Sequence, residues 1–347
     1  MSLLDKAVCT PFFLKRIKFS ALPLLGLLLL AVALVSASIG AVSIPLSDIL
    51  GGSLADQQLA VLNSIRLPRV VLAVIVGGAL AVSGAAMQGL FRNPLADPGL
   101  IGISTSAALA VAIVIVLAGP IVGYFGLYAM SIAAFGGALG ACFVIFRFAK
   151  LTGTFSVTYM LLTGIAINAL SAAGVGFLTF LSDDQQLRTL TFWTMGSLGG
   201  ALWVSVIVAA TIIIPSALIL VKNARELNVL LLGESEARYL GVDVERLKRR
   251  IIICTALSVG AAISVSGIIG FVGLVVPHLI RLTLGPDHRL LIPASAFLGA
   301  ILLLLADTVA RTVVAPAEMP VGILTSMIGG PFFLWLLMKQ FSGRFGL

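Results

Sequence analysis

Apolar residues in this chain neither alternate nor keep to one helical face. They run in broad windows near positions 21–43, 70–91, 100–118, 123–146, 156–181, 200–221, 250–268, 271–285, 290–310 and 322–338, parted by short segments of proline, glycine and charge. A helix apolar all round and about 20 residues long can cross a bilayer. The pattern therefore predicts an all-α integral membrane protein with ten transmembrane helices. No clear small-residue cleavage site follows the first window, which is expected to stay as a helix rather than leave as a signal peptide.

One break stands out. Between the second and third windows, Arg92-Asn93-Pro94-Leu95-Ala96-Asp97-Pro98 stops one helix and starts another within seven residues. Backbone left unpaired against lipid costs several kcal/mol per group, so this turn belongs at a membrane face or beside a protein-lined cavity. It marks a place where something polar passes or docks.

Composition supports the membrane reading. Hydrophobic residues are 60% of the 347 and charged residues 10%, with a mean hydropathy of +1.16. A soluble chain carries roughly 25% charge. The pI of 9.8 reads as basic cytoplasmic loops rather than nucleic-acid binding. With the N-terminus inside, 18 of the 22 Lys and Arg residues fall on the inner side, which makes both termini cytoplasmic. The four outer ones are all arginine: Arg66, Arg69, Arg188 and Arg311. Arginine's planar fork suits carboxylates, so an acidic protein surface or an anionic ligand is expected there, with headgroup anchoring the plain alternative. For Arg311, Asp307 four residues earlier offers an ordinary ion pair. Cys9, Cys142 and Cys254 show no metal or disulfide spacing, and His278 and His288 make no recognisable metal site.

Two further patterns carry function. Gly77–Gly84 and Gly260–Gly267 agree at five of eight positions, and the predicted topology runs them in opposite directions, as in transporters built from inverted repeats. Small residues also recur in membrane helices for packing alone. The longest inner segment, residues 222–250, carries 12 charges. Inside it Gly233-Glu234-Ser235-Glu236-Ala237-Arg238-Tyr239-Leu240-Gly241 reads as a short amphipathic helix. Glu234 and Arg238 stand at i,i+4, and Ala237 and Gly241 keep one side shallow enough to enter a groove on a partner. No G-x-x-x-x-G-K-[ST] loop occurs, so ATP, if it drives transport, acts in another subunit.

Taken together, these strings resemble the permease subunits of bacterial iron-siderophore, haem and cobalamin ABC importers, a FecCD-like, type II class. The likeness runs from Arg66-Leu67-Pro68-Arg69 through Met87-Gln88 and the Arg92–Pro98 turn to Leu100–Ser104, then Gly233–Gly241, Gly270–Arg281, Pro320–Gly322 and Gly329–Phe332. It implies one permease domain over residues 1–347 with residues 222–250 as a coupling segment, and a homodimer with the pathway at its axis. It also implies two ATPase subunits holding ATP and Mg, and a periplasmic binding protein, in a bacterial inner membrane. No cofactor or metal is expected in this chain, and it is not itself an enzyme. By the same resemblance Gly233–Gly241 couples to the ATPase, and Arg66, Arg69 and Arg311 meet the binding protein. Asn93 and Leu95 form a cytoplasmic gate, with Ser156 and Thr158 at a second gate segment.

Leu181–Trp193 is most similar to haem permeases. Haem is a flat apolar disc with two carboxylates, and Arg188 is the expected cation at the mouth of its path. Ferric-siderophore or cobalamin import is the alternative. An ion-coupled secondary transporter is more remote, because ionisable groups at mid-depth are scarce: Asp307 is expected near an outer end and Asp97 near an inner one.

Overall fold

The computed structural model describes residues 12–40, 44–52, 54–151 and 156–345, and every long element among them is helical. Chain order opens with α1 (Phe12–Ser38), α2 (Leu46–Gly51), α3 (Asp56–Val61) and α4 (Leu67–Phe91). Next come α5 (Ile103–Leu117), α6 (Gly119–Leu151), α7 (Val157–Leu181), α8 (Asp184–Thr194) and α9 (Trp203–Lys222). The short helices α10 (Ala224–Leu230) and α11 (Glu234–Tyr239) lead into α12 (Val244–Ser266), α13 (Val272–Leu284), α14 (His288–Ala310) and α15 (Val321–Phe345).

Among the described residues, seven helical stretches are long and apolar enough to cross a membrane: those of α1, α3–α4, α6, α7, α9, α12 and α14. The other three apolar windows form the shorter helices 103–117, 272–284 and 321–336. Burial ranks them. The most apolar stretches of α3–α4, α12 and α14 are 78%, 67% and 61% buried, against 17% for α7 and 11% for α1. The first three make the centre, and the last two leave most of their apolar surface uncovered. Membrane helices gain little from hiding apolar groups from lipid, so their contacts depend on close packing. Hence Gly77 of α4 lies against Gly299 of α14, and Gly84 lies against the backbone of Gly273 in α13, where any Cβ would overlap the Gly273 carbonyl.

The two repeat segments end differently. Gly77–Gly84 stays inside α4, which continues to Phe91, whereas Gly267 closes α12 at φ +67°. Phe271, also at positive φ, then opens α13, so the chain breaks within five residues. The helices bearing the two segments pack on each other. A π-helical turn, Leu62–Arg66, joins α3 to α4. Such turns free backbone carbonyls from the regular ladder; here the Asn63 carbonyl accepts the Trp203 indole N–H at 2.8 Å, which seats the start of α9.

Candidate functional site

Four places hold the residues singled out by sequence. At the N-terminal end of α4, all three expected docking arginines turn in toward neighbouring helices. Arg66 is 3% exposed and donates to the Ala37 and Ser38 carbonyls at the end of α1, both at 2.8 Å. Those carbonyls are the negative end of a helix dipole, a natural seat for a cation. Arg69 is forked between Asp307 at 3.0 Å and Glu318 at 2.9 Å. Arg311 donates to the Ser36 backbone and hydroxyl and approaches Asp307 at 3.7 Å. The three arginines expected to dock a partner are thus held by α1, α14 and Glu318, and the Asp307–Arg311 pairing expected from the i,i+4 spacing is present. Burial next to Asp307 favours paired guanidinium groups, and the i,i+4 pairing of Asp307 with Arg311 is the signal that pointed this way. Ser36 and Glu318 complete the cluster and carried no signal of their own in the sequence. Arg188, by contrast, is exposed on α8.

The turn after α4 begins at Arg92, which holds the left-handed conformation with φ 50°. Asn93 is exposed, and its Oδ1 accepts the Leu95 N–H at 2.9 Å, while Leu95 is half-buried. Asp97 caps the short turn Pro98–Ile101 through the Gly99 N–H at 2.7 Å. This turn does not stay at the level where α4 ends. An Asp97 carboxylate oxygen comes within 3.3 Å of the Cβ position of Gly273, which itself packs on the Leu80 and Gly84 level of α4. Those residues lie 7 to 11 positions before the end of α4, about 10–16 Å back into the bundle at about 1.5 Å per residue. Asp97 is therefore deeper than its place in the sequence predicts. Ser156 is half-buried at the start of α7 and Thr158 is exposed beside it. The turn is tied to α7 farther along, at Asn168, which donates to the Gly99 carbonyl at 3.2 Å and accepts from Thr105 at 2.6 Å. Sequence reading passed over Asn168; a lone amide inside an apolar window was the available signal.

The predicted amphipathic helix is α11, bounded by Gly233 (φ +132°) and Gly241 (φ +85°). Glu234 pairs with buried Lys248 of α12 at 2.6 Å, not with Arg238. Ala237 is fully buried and seats the helix, so it does not lie on the side offered to a partner. That side carries Ser235, Glu236, Arg238, Tyr239 and Leu240, with Tyr239 91% and Leu240 63% exposed. Neighbouring Leu231 and Leu232 are also exposed. Helix α12 starts at Val244, six residues before the predicted window, because Asp243 accepts the Arg246 N–H at 3.0 Å and caps it. His288 sets Nδ1 2.9 Å from Asn228 Oδ1, and His278 stands edge-on to Phe332.

The fourth place is a cleft where α8, the break between α12 and α13, and the start of α15 converge. Helix α8 is opened by a reciprocal cap: Asp183 accepts the Gln186 N–H at 2.8 Å and Gln186 accepts the Asp183 N–H at 3.1 Å. Asp-x-x-Gln is a legible helix start, although the sequence reading treated the segment only as a recognition string. Past its end, Ser197 N–H donates to the Ser266 carbonyl at 2.8 Å. Gly322 lets α15 lie directly on the Met195 carbonyl, where a side chain would collide. The result is an open cleft of about 560 Å³ lined by Thr194, Met195, Ile268, Ile323, Ser326 and Met327 among others.

Residues 28–339 match the FecCD transport family. The chain belongs to that family. The hemin transport system permease HmuU of Yersinia pestis is 52% identical over 320 residues, covering 92% of this chain and 96% of the relative. The cobalamin import permease BtuC of Halobacterium salinarum is 44% identical, over 81% of this chain and 74% of its own. Among solved structures, a metal-chelate type ABC transporter in an inward-facing conformation is similar with a TM-score of 0.82 at 33% identity, covering 94% of this chain and 99% of that one. The FecCD fold is thus the type II importer permease fold, and the protein is a multi-pass membrane permease of an ABC transporter. A FecCD permease is a transport component, not an enzyme in itself, and it works with ATPase and binding-protein partners.

Proposed function

We propose that this chain is the membrane subunit of an ATP-driven haem importer in a bacterial inner membrane. Its ten apolar windows cross the bilayer with both termini cytoplasmic, and the whole of 1–347 acts as one permease domain. Two copies enclose the path. Each copy takes one ATPase subunit on the segment 222–250, chiefly through Gly233–Gly241, and ATP with Mg is held by that subunit. A periplasmic binding protein delivers haem to the outer face. There Arg66, Arg69 and Arg311 act by holding α1, α4 and α14 in the shape that receives it. Asn93 and Leu95, with Ser156 and Thr158 on the neighbouring segment, close the inner end of the path. The similarity to a hemin permease over nearly the full length carries the choice of cargo. The uncovered apolar and aromatic side chains of α11 support the ATPase contact, since exposed apolar groups on a water-facing loop mark interaction sites.

The test is ATP-dependent uptake in proteoliposomes holding the permease, its ATPase and its binding protein. Haem, a ferric siderophore and cobalamin are offered separately, and haem alone is expected to accumulate. Uptake of cobalamin or siderophore in its place keeps the importer and discards the cargo.

A further inference from the structure

The cleft between α8 and α15 has no role assigned by the family assignment. Its lining is unusual in one respect: two methionines, Met195 (37% exposed) and Met327 (65% exposed), bring flexible thioethers to it, with Thr194 and Ser326 beside them. Methionine is polarisable and adaptable, and it suits surfaces that must hold a large apolar ligand without fixing one pose. The cleft volume of about 560 Å³ falls within the range of about 300–1,000 Å³ that takes a drug-sized molecule.

Helix geometry adds a charge at a set distance. Arg188 and Met195 are seven residues apart on α8, and Met195 keeps helical torsions as its C-terminal cap. Seven residues make nearly two full turns, so both project from the same side, about 10 Å apart along the axis. Thr191 lies between them on that side, and it too is exposed. Among the described residues no carboxylate lies within salt-bridge reach of Arg188, which is exposed. The face of α8 therefore carries a cation at one end and leads into a thioether-lined cleft at the other. Haem has the matching order: an apolar plane at one end, two carboxylates on arms at the opposite edge. The spacing is comparable with half a porphyrin plus one propionate arm. Cobalamin is bulkier, and its corrin side chains end in amides rather than in the pair of carboxylates that haem carries on one edge.

We infer that the cleft is a transient haem station on the import path. The porphyrin face rests on Met195 and Met327, and the propionates reach Arg188. This rests on the haem reading above, and the experiment separates the two. In the reconstituted system, Met195→Ala/Met327→Ala and Arg188→Gln are each expected to lower haem uptake about tenfold, with basal ATPase activity unchanged. A second measurement covers a variant that fails to assemble. In Met195→Cys, haem is expected to slow maleimide labelling of that cysteine at least fivefold, read on its own peptide by mass spectrometry, while cobalamin leaves labelling unchanged. Wild type that imports haem while all variants match it, or a Met195→Cys thiol that haem does not protect, overturns the station and leaves the importer standing. A wild type that carries only cobalamin or siderophore overturns the cargo and the station together.

Discussion

At the scale of single residues, the end of the bundle where α4 begins depends on Arg69. Its guanidinium is buried together with Asp307, while Glu318 sits at the rim with its side chain about half exposed. Removing one member of a buried pair leaves the other charged without compensation, at a cost of about 3–5 kcal/mol, whereas exposed pairs contribute about 0–1 kcal/mol. Arg69→Ala is therefore expected to lower the melting temperature of the detergent-purified permease sharply, and Glu318→Gln to change it little. Equal small effects from both would show that Asp307 finds enough support from Arg311 alone. The same cluster shows what residue type alone leaves open at this scale. Arginine on an outer loop reads as available charge, but a partner 238 positions away in sequence decides whether it is.

At the scale of elements, short helices and their caps set the inner face. Helix α11 has only six residues, too few to hold by itself, and stands because Ala237 is buried and Glu234 reaches Lys248. Tyr239 and Leu240 contribute nothing to that seating. Tyr239→Ala/Leu240→Ala is expected to leave the melting temperature within a degree or two and to abolish co-purification of the ATPase. A drop in stability with the ATPase still bound would reverse the roles. The start of α14 titrates. Burial would raise the Asp287 pKa, but the Arg289 N–H at 2.9 Å, the Asn228 amide at 2.7 Å and the nearby Arg289 charge hold it below the usual carboxylate range. A depressed carboxyl pKa stabilises the fold fully above the unfolded value, near about 3.9, and the contribution is lost as pH falls through the folded value. Asp287→Asn is thus expected to lower stability at neutral pH and to flatten its acid dependence below about pH 4, read as melting temperature against pH.

At the scale of the whole molecule, the packing separates a core from an unfinished surface. Helices α4, α12 and α14 are buried, while α7 leaves Phe180 84% and Leu170 72% exposed. Lipid or a second copy covers such a face equally well in energy, so the assembly is set by shape and by partners rather than by the need to hide apolar groups. The break between α12 and α13 and the turn after α4 bring polar backbone to the level of Leu80 and Gly84, deep in the bundle. Irregular backbone at such depth is tolerated where protein or a water-filled path surrounds it, as it does beside a transport route.

The sequence by itself determined that this is a helical membrane protein, where its apolar windows lie, and that the Arg92–Pro98 run breaks the chain after Phe91. Hydropathy and backbone stereochemistry are local properties, and a membrane makes them decisive. The sequence also marked Gly233–Gly241 as a short capped helix. Only the tertiary structure decided which side of that helix faces out, because Ala237 is small enough either to enter a partner's groove or to seat the helix, and Lys248 lies beyond the loop. It alone folded Asp97 back beside Gly273, turned Arg66, Arg69 and Arg311 inward, tied the turn to Asn168, and brought Met195 and Met327 to one cleft. Those outcomes depend on pairings between residues far apart in the chain, which no run of neighbouring residues encodes.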